Sequence, residues 1–229
     1  MQSDQTSLDL QDAARNRLVP TELYFPARHC TPAVPCPVAF ISPGYGLAHT
    51  DYSFLARSLA SDGYLVVAIQ HVLPTDPPLA TTGTLFDNRM PMWRRGVENL
   101  RFVKATLQVQ YPGYDWSRLV LIGHSNGGDL SALALVESPT LATTLITLDH
   151  RRYPLPRGRA VRTLSLRGTD FAADPGVLPT PSERSDLDAC IVRLDDARHN
   201  DMYDAGPAWL KDAIAAEVGR FLHGARCSD

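Results

Sequence analysis

Long apolar runs, clustered cysteines and blocks of like charge are what this sequence has least of. No stretch reaches the roughly 18 consecutive apolar residues of a membrane span, and Met1-Gln2-Ser3-Asp4-Gln5-Thr6 lacks the basic-then-apolar pattern of a secretion signal. These absences lead to the expectation of a cytoplasmic protein. Basic residues come at most in pairs, Arg94-Arg95 and Arg151-Arg152, and the formal net charge is −3. Neither nucleic acid nor insertion into a membrane is therefore expected. The four cysteines, Cys30, Cys36, Cys190 and Cys227, are too few in 229 residues for a disulfide scaffold and lack metal-ligand spacing. Free thiols are expected, with Cys30 and Cys36 pairing across a Pro-containing loop as the alternative. No H-E-x-x-H or comparable ligand set occurs, and neither a metal nor another cofactor is expected. With 44% hydrophobic residues, a chain of this length can bury one sizeable core, so a single domain over 1–229 is the default.

What is present centres on Gly123-His124-Ser125-Asn126-Gly127, which follows the apolar run Leu119-Val120-Leu121-Ile122 and leads into Asp129-Leu130-Ser131-Ala132-Leu133. A strand, a one-residue corner and a helix fit these residues. Such a corner strains the backbone of Ser125, and Gly123 and Gly127 supply the room that a Cβ would fill. The pattern G-x-S-x-G is common by chance in loops without chemistry. The apolar strand before it and the amphipathic helix after it identify a nucleophile elbow, which lifts a serine hydroxyl to a sheet edge beside a positive helix end.

The rest of the chain alternates strand-like and helix-like segments. Residues 7–12 and 18–25 read as two opening antiparallel strands, and 37–41 as a central strand that stops at Ser42-Pro43-Gly44-Tyr45-Gly46. Thr50 or Asp51 caps an expected helix to Ser61, and a strand follows over 64–69. Residues 71–91, with Pro74, Pro77, Pro78, Gly83 and Pro91, read as a long surface loop of the kind that often carries function. A helix over 92–109 precedes the elbow strand. Strands at 144–148, 161–166 and 190–194 and a closing helix over 207–222 complete a parallel α/β sheet flanked by helices, with ligands expected at the carboxyl ends of its strands.

A serine hydroxyl needs a base, and the base needs an acid that fixes its tautomer. His199, in the loop after the last strand and just before the closing helix, is the candidate base. His124 is expected to pack beside the elbow; His49, His71 and His150 do not follow the last strand, and His223 is expected to be solvated. Two aspartates compete for the acid. Asp170 follows the strand ending near Leu166 and is slightly favoured, while Asp149 ends the preceding strand at Leu148 and has an ion pair with a neighbouring arginine as its bland reading. Asp174 reads as a turn initiator. An oxyanion needs two N–H donors, for which Asn126 and Tyr45 are the candidates; the Tyr45 ring is also suited to floor a cleft.

These residues resemble the α/β-hydrolase superfamily over nearly the whole chain. Ser42-Pro43-Gly44-Tyr45-Gly46 with Leu59-Ala60-Ser61-Asp62-Gly63-Tyr64 is similar to bacterial cutinase-like polyester hydrolases and the dienelactone-hydrolase type, a likeness that implies Asp170 as the acid. Leu148-Asp149 with Tyr153-Pro154-Leu155, and His199-Asn200 with Asp204, resemble platelet-activating-factor acetylhydrolases and imply Asp149. Only about ten residues separate Asp149 from the next strand, too few for a large cap domain. An open cleft and a carboxylesterase acting on small or exposed acyl esters through an acyl-enzyme are the expectation. A serine amidase or peptidase, or a non-catalytic binding protein on the same fold, are the other two readings.

Overall fold

The structure is a computed structural model that describes residues 4–187 and 189–225. Eight strands form one sheet: β1 (Gln5–Asp12), β2 (Arg17–Tyr24), β3 (Cys36–Ser42), β4 (Leu65–Ile69), β5 (Tyr114–His124), β6 (Thr144–Leu148), β7 (Arg162–Arg167) and β8 (Ala189–Arg193). Their spatial order is β1-β2-β4-β3-β5-β6-β7-β8. β1 and β2 are antiparallel to their neighbours, and β4, β3 and β5–β8 run parallel. Strands buried on both faces need continuous apolar runs, and Leu65-Val66-Val67-Ala68-Ile69 and Leu119-Val120-Leu121-Ile122 are buried throughout.

Each face carries its own core. On one side, α2 (Leu85–Gln110) and α3 (Asn126–Glu137) bury Trp93, Val97, Leu100, Val103, Leu107, Leu130 and Leu133 against Phe40, Val67 and Leu121. On the other, α1 (Ser53–Ser61) and α5 (Ala208–Leu222) bury Leu55, Leu59, Leu210, Ile214, Val218 and Phe221 against Ile41, Val66 and Ile122. The spacing of Val97, Leu100, Val103 and Leu107 places them on one helical face. Leu100 has no exposed surface, and truncating such a residue to alanine costs about 2–5 kcal/mol.

Three local expectations are corrected. α2 begins at Leu85 rather than Met92 and carries Pro91 inside it. Proline removes one helical hydrogen bond and opposes its preceding turn; here Phe86 lies 5.6 Å from both the Trp93 and the Tyr153 rings, which ties the early turns to the body of the fold. α1 starts after a 3-10 turn (His49–Tyr52) and is capped from a distance: the Asp204 carboxylate accepts the N–H groups of Ser53 and Phe54 at 2.9 Å. The cysteines of the described residues are not free thiols. Cys30 and Cys36 form a disulfide, and Cys190 is disulfide-bonded as well; Cys227 lies outside the described residues. A short helix, α4 (Pro181–Leu187), has no counterpart in the sequence reading.

Candidate active site

The parallel register brings the ends of β5, β6 and β7 side by side. His124 pairs with Leu148, and Leu148 with Leu166. The next residues, Ser125, Asp149 and the pair Arg167-Gly168, therefore emerge at one sheet edge. Ser125 is held at φ 51° and ψ −116°, a conformation that costs a non-glycine residue of order 1–3 kcal/mol. The sequence tolerates this corner only through its glycines. A Cβ on Gly123 would run into the Gly127 carbonyl, and one on Gly127 would run into the Ser42 carbonyl.

His199 stands at the start of a 3-10 turn (His199–Asp201) after β8. Its Nε2 lies 3.0 Å from Ser125 Oγ, and its Nδ1 lies 2.6 Å from Asp149 Oδ2. With Nδ1–H donated to the carboxylate, Nε2 is left as an acceptor for the serine hydroxyl. Asp149 is fully buried. Its Oδ1 accepts the Gly168 N–H at 2.9 Å and pairs with an Arg167 guanidinium nitrogen at 2.9 Å. Burial alone would raise its pKa; the His199 bond, the Arg167 charge and the Gly168 N–H outweigh that, and the carboxyl is held below its ordinary range.

Of the two aspartates, the structure brings Asp149 and not the slightly favoured Asp170 to the His199 ring. Asp170 does touch the histidine, but through its backbone: Asp170 Oδ1 accepts the His199 N–H at 2.8 Å. The reason is lateral order. β6 lies directly beside β5, so a residue at its end faces Ser125, whereas Asp170 lies three residues beyond β7, one strand further out. The arginine that pairs with Asp149 is Arg167 rather than the adjacent Arg151 or Arg152.

The other histidines are engaged elsewhere. His71 Nε2 bonds Ser42 Oγ at 2.9 Å, and His49 bonds the Gln70 side chain. His150 is fully buried against Gly128. His124 does pack at the elbow, and it also makes a connection that sequence reasoning missed. Its Nε2 lies 3.0 Å from the His199 carbonyl, its Nδ1 lies 2.7 Å from Tyr52 Oη, and Tyr52 Oη accepts the Gly44 N–H at 3.0 Å. A carbonyl only accepts, so His124 carries its proton on Nε2 and the Tyr52 hydroxyl donates to Nδ1. Burial pushes the His124 pKa down to about 3, with the nearby His199 acting in the same direction.

A cleft of about 380 Å³ opens at Ser125 and His199, lined also by Tyr45, Leu47, Leu79, Arg89, Asp129, Arg151, Arg152 and Tyr203. Part of the long 71–91 segment thus walls it, as Leu79 and Arg89. Because the Gly44 N–H is given to Tyr52, Tyr45 is the next donor along that loop, and it borders the cleft together with Ser125. Asn126 opens α3, where the first N–H groups have no intrahelical acceptor. Its side chain is turned away from such a role, with Oδ1 accepting the Trp93 Nε1–H at 2.9 Å. Asp129, one turn into α3, is buried, and its Oδ1 accepts the consecutive N–H groups of Arg151, Arg152 and Tyr153. Burial raises its pKa to about 6 against the pull of those bonds. The Asp174 carbonyl accepts the Val177 N–H in the expected turn, and its carboxylate pairs with Arg152. Among the described residues there is no cluster of side chains suited to hold a metal ion.

No protein-family model matches the sequence, and no curated protein matches it either. Solved structures do. A ferulic acid esterase from Streptomyces cinnamoneus superposes with a TM-score of 0.60 at 20% identity, covering 99% of this chain and 90% of the other. A dienelactone hydrolase from Anabaena variabilis gives 0.66 at 17% identity, over 99% of this chain and all of the other. The chain has the α/β-hydrolase fold. An α/β serine hydrolase without a lid, from Xanthomonas campestris, gives 0.61 at 18% identity over 95% of each chain. The same openness holds here, where only residues 149–161 join β6 to β7 and no cap domain is inserted. Among the described residues no helix is long and apolar enough to cross a membrane.

Proposed function

We propose that this α/β-hydrolase-fold chain is a carboxylic ester hydrolase with Ser125 as nucleophile, His199 as base and Asp149 as acid. The supporting observation is the unbroken chain of contacts from Ser125 Oγ through both ring nitrogens of His199 to Asp149. In the first half-reaction Ser125 Oγ attacks the acyl carbon as His199 Nε2 takes its proton, and the carbonyl oxygen becomes an oxyanion held by the N–H groups of Tyr45 and Asn126. Collapse breaks the ester C–O bond, and the imidazolium returns the proton to the departing alcohol. Water, deprotonated by the same nitrogen, then releases the acid and restores Ser125. The ionised Asp149 stabilises the transient imidazolium and is itself kept charged by Arg167. The ester structures that share the fold, a ferulic acid esterase among them, favour this bond class. No cofactor enters the cycle. The bonded cysteines support an oxidising compartment over the cytoplasm.

A fluorophosphonate probe and p-nitrophenyl esters from acetate to octanoate test the proposal. Wild type is expected to be labelled, to favour short acyl chains and to cleave esters faster than matched amides. Ser125→Ala loses the label and at least about 10³-fold in kcat. A wild-type protein that neither turns over an ester nor accepts the label is a binding protein instead.

A further inference from the structure

The cleft beside Ser125 is unusually cationic for a site that only has to seat a neutral ester. Arg89, Arg151 and Arg152 all line it, and the carboxylates that answer them are Asp129 and Asp174, so three cations meet two anions. One oxygen of Asp129 is already occupied by three backbone N–H groups, and Asp174 is paired with Arg152 at 2.8 Å. Arg89 is tied to the Ala80 carbonyl through Nε. Its charge is disfavoured by burial and by the proximity of Arg152 and Arg151.

Arg151 is the cation left over. It forms no ion pair among the described residues, and its buried Nε has no hydrogen-bond acceptor. It is nonetheless held in place, with its guanidinium 4.4 Å over the Phe171 ring, which in turn lies edge-on to the His199 ring at 5.5 Å. A fixed guanidinium with unused donors beside a nucleophile is suited to an oxyacid anion, whose oxygens match its planar fork.

The other side of the Tyr45 loop has different chemistry. A second recess of about 710 Å³ shares Gly44, Tyr45, Gly46 and Leu47 with the first and is walled by Val72, Leu73, Pro74 and Pro78. The loop that supplies the Tyr45 N–H is thus a ridge between a cationic lobe and a mainly apolar one.

Resting on the ester-hydrolase reading, we propose that the substrate is an anionic ester: a carboxylate or phosphate group docks on Arg151, flanked by Arg89 and Arg152, while an apolar group enters the recess behind Tyr45. The scissile carbonyl then lies over the ridge, between the two recognised ends.

Two matched pairs of esters test this, each corrected for uncatalysed hydrolysis. One pair, 4-nitrophenyl hydrogen adipate and 4-nitrophenyl hexanoate, carries the charge on the acyl side. The other, 3-carboxy-4-nitrophenyl acetate and 4-nitrophenyl acetate, carries it on the alcohol side. Wild type is expected to favour the anionic member of at least one pair by about tenfold or more in kcat/KM, with the preference shrinking as salt is added. Arg151→Met removes that preference, and Arg118→Met, at the opposite end of the sheet, retains it. Titration of the Ser125→Ala protein with adipate and with inorganic phosphate tells which anion the site prefers. No preference in either pair, or one that Arg151→Met leaves intact, overturns the proposal while ester hydrolysis stands. Arg151-dependent binding of adipate or phosphate without turnover of any ester leaves the anion site and removes the hydrolase reading. The salt dependence and the paired rates are measured on wild type, so a poorly folding variant does not block the test.

Discussion

The Tyr52 hydroxyl donates to Nδ1 of His124 across 2.7 Å, and this one bond joins the loop carrying Tyr45 to the loop carrying His199. Tyr52 accepts from Gly44 on one side, and His124 donates to the His199 carbonyl on the other. Two groups proposed to act on the same carbonyl, an oxyanion donor and a base, are thereby held at a fixed separation by two buried side chains.

Tyr52→Phe leaves the Gly44 N–H and His124 Nδ1 without partners. The expected loss of stability is about 1–3 kcal/mol, and kcat should fall by about tenfold with KM little changed, because the N–H donors matter most when the oxyanion has formed. Denaturant melts and steady-state kinetics on short-chain esters measure both quantities. An unchanged kcat in a destabilised variant would make the link structural only.

The two aspartates at His199 should separate cleanly. Asp149→Asn takes the carboxylate from the ring and is expected to lower kcat by about 10³–10⁴. In Asp170→Asn the amide oxygen still accepts the His199 backbone N–H, so activity near wild type is expected, with a greater loss in Asp170→Ala. A severe loss in Asp170→Asn with a mild one in Asp149→Asn would reverse the assignment.

Acid should destabilise the protein before carboxylates of ordinary pKa titrate. His71, His124 and His150 are buried as neutral rings with pKa values lowered to about 3, chiefly by desolvation. In the unfolded chain they take protons near pH 6.5. The unfolded state therefore binds more protons between about pH 6.5 and 3, and stability is lost as pH falls through that window. Asp129, raised to about 6, works the other way, since its native form holds a proton more readily. Three groups against one leave a net slope of up to about 2.7 kcal/mol per pH unit near pH 5. Urea melts at pH 7 and pH 5 read this directly; equal midpoints would contradict it.

Reductant should lower the thermal midpoint. The Cys30–Cys36 bridge closes a short loop with a sequence separation of 6, for which chain entropy gives about 2 kcal/mol. Calorimetry with and without dithiothreitol, and on Cys30→Ser with Cys36→Ser, measures the effect. Identical traces would mean that the thiols are reduced in the purified protein.

The legible parts of this molecule were those decided by local pattern. Ser125 announces itself because only a strand, a strained corner and glycine-lined packing explain its neighbours, and His199 follows from chain order after the last strand. Which aspartate meets the His199 ring was not legible to the same degree, because Asp149 and Asp170 both follow strands, and which strand lies beside β5 is a lateral fact absent from linear order. Pro91 concealed the first turns of α2, since proline's local preference was overridden by Phe86, Trp93 and Tyr153 packing across the chain. The spacing of Cys30 and Cys36 allowed a bridge without requiring one. The Tyr52–His124–His199 connection spans 72 and 75 residues, beyond any local signal.

Ser125 and Asp149, at the tips of adjacent strands, both hold positive φ, 51° and 49°. Glycine would sit there without the steric cost either residue bears. Ser125→Gly, which lacks the hydroxyl proposed to react, should therefore refold to a chain more heat-resistant than its parent. On the proposed mechanism inertness and durability would rise together, and the Ser125 corner would be a place where robustness is exchanged for the position of a nucleophile.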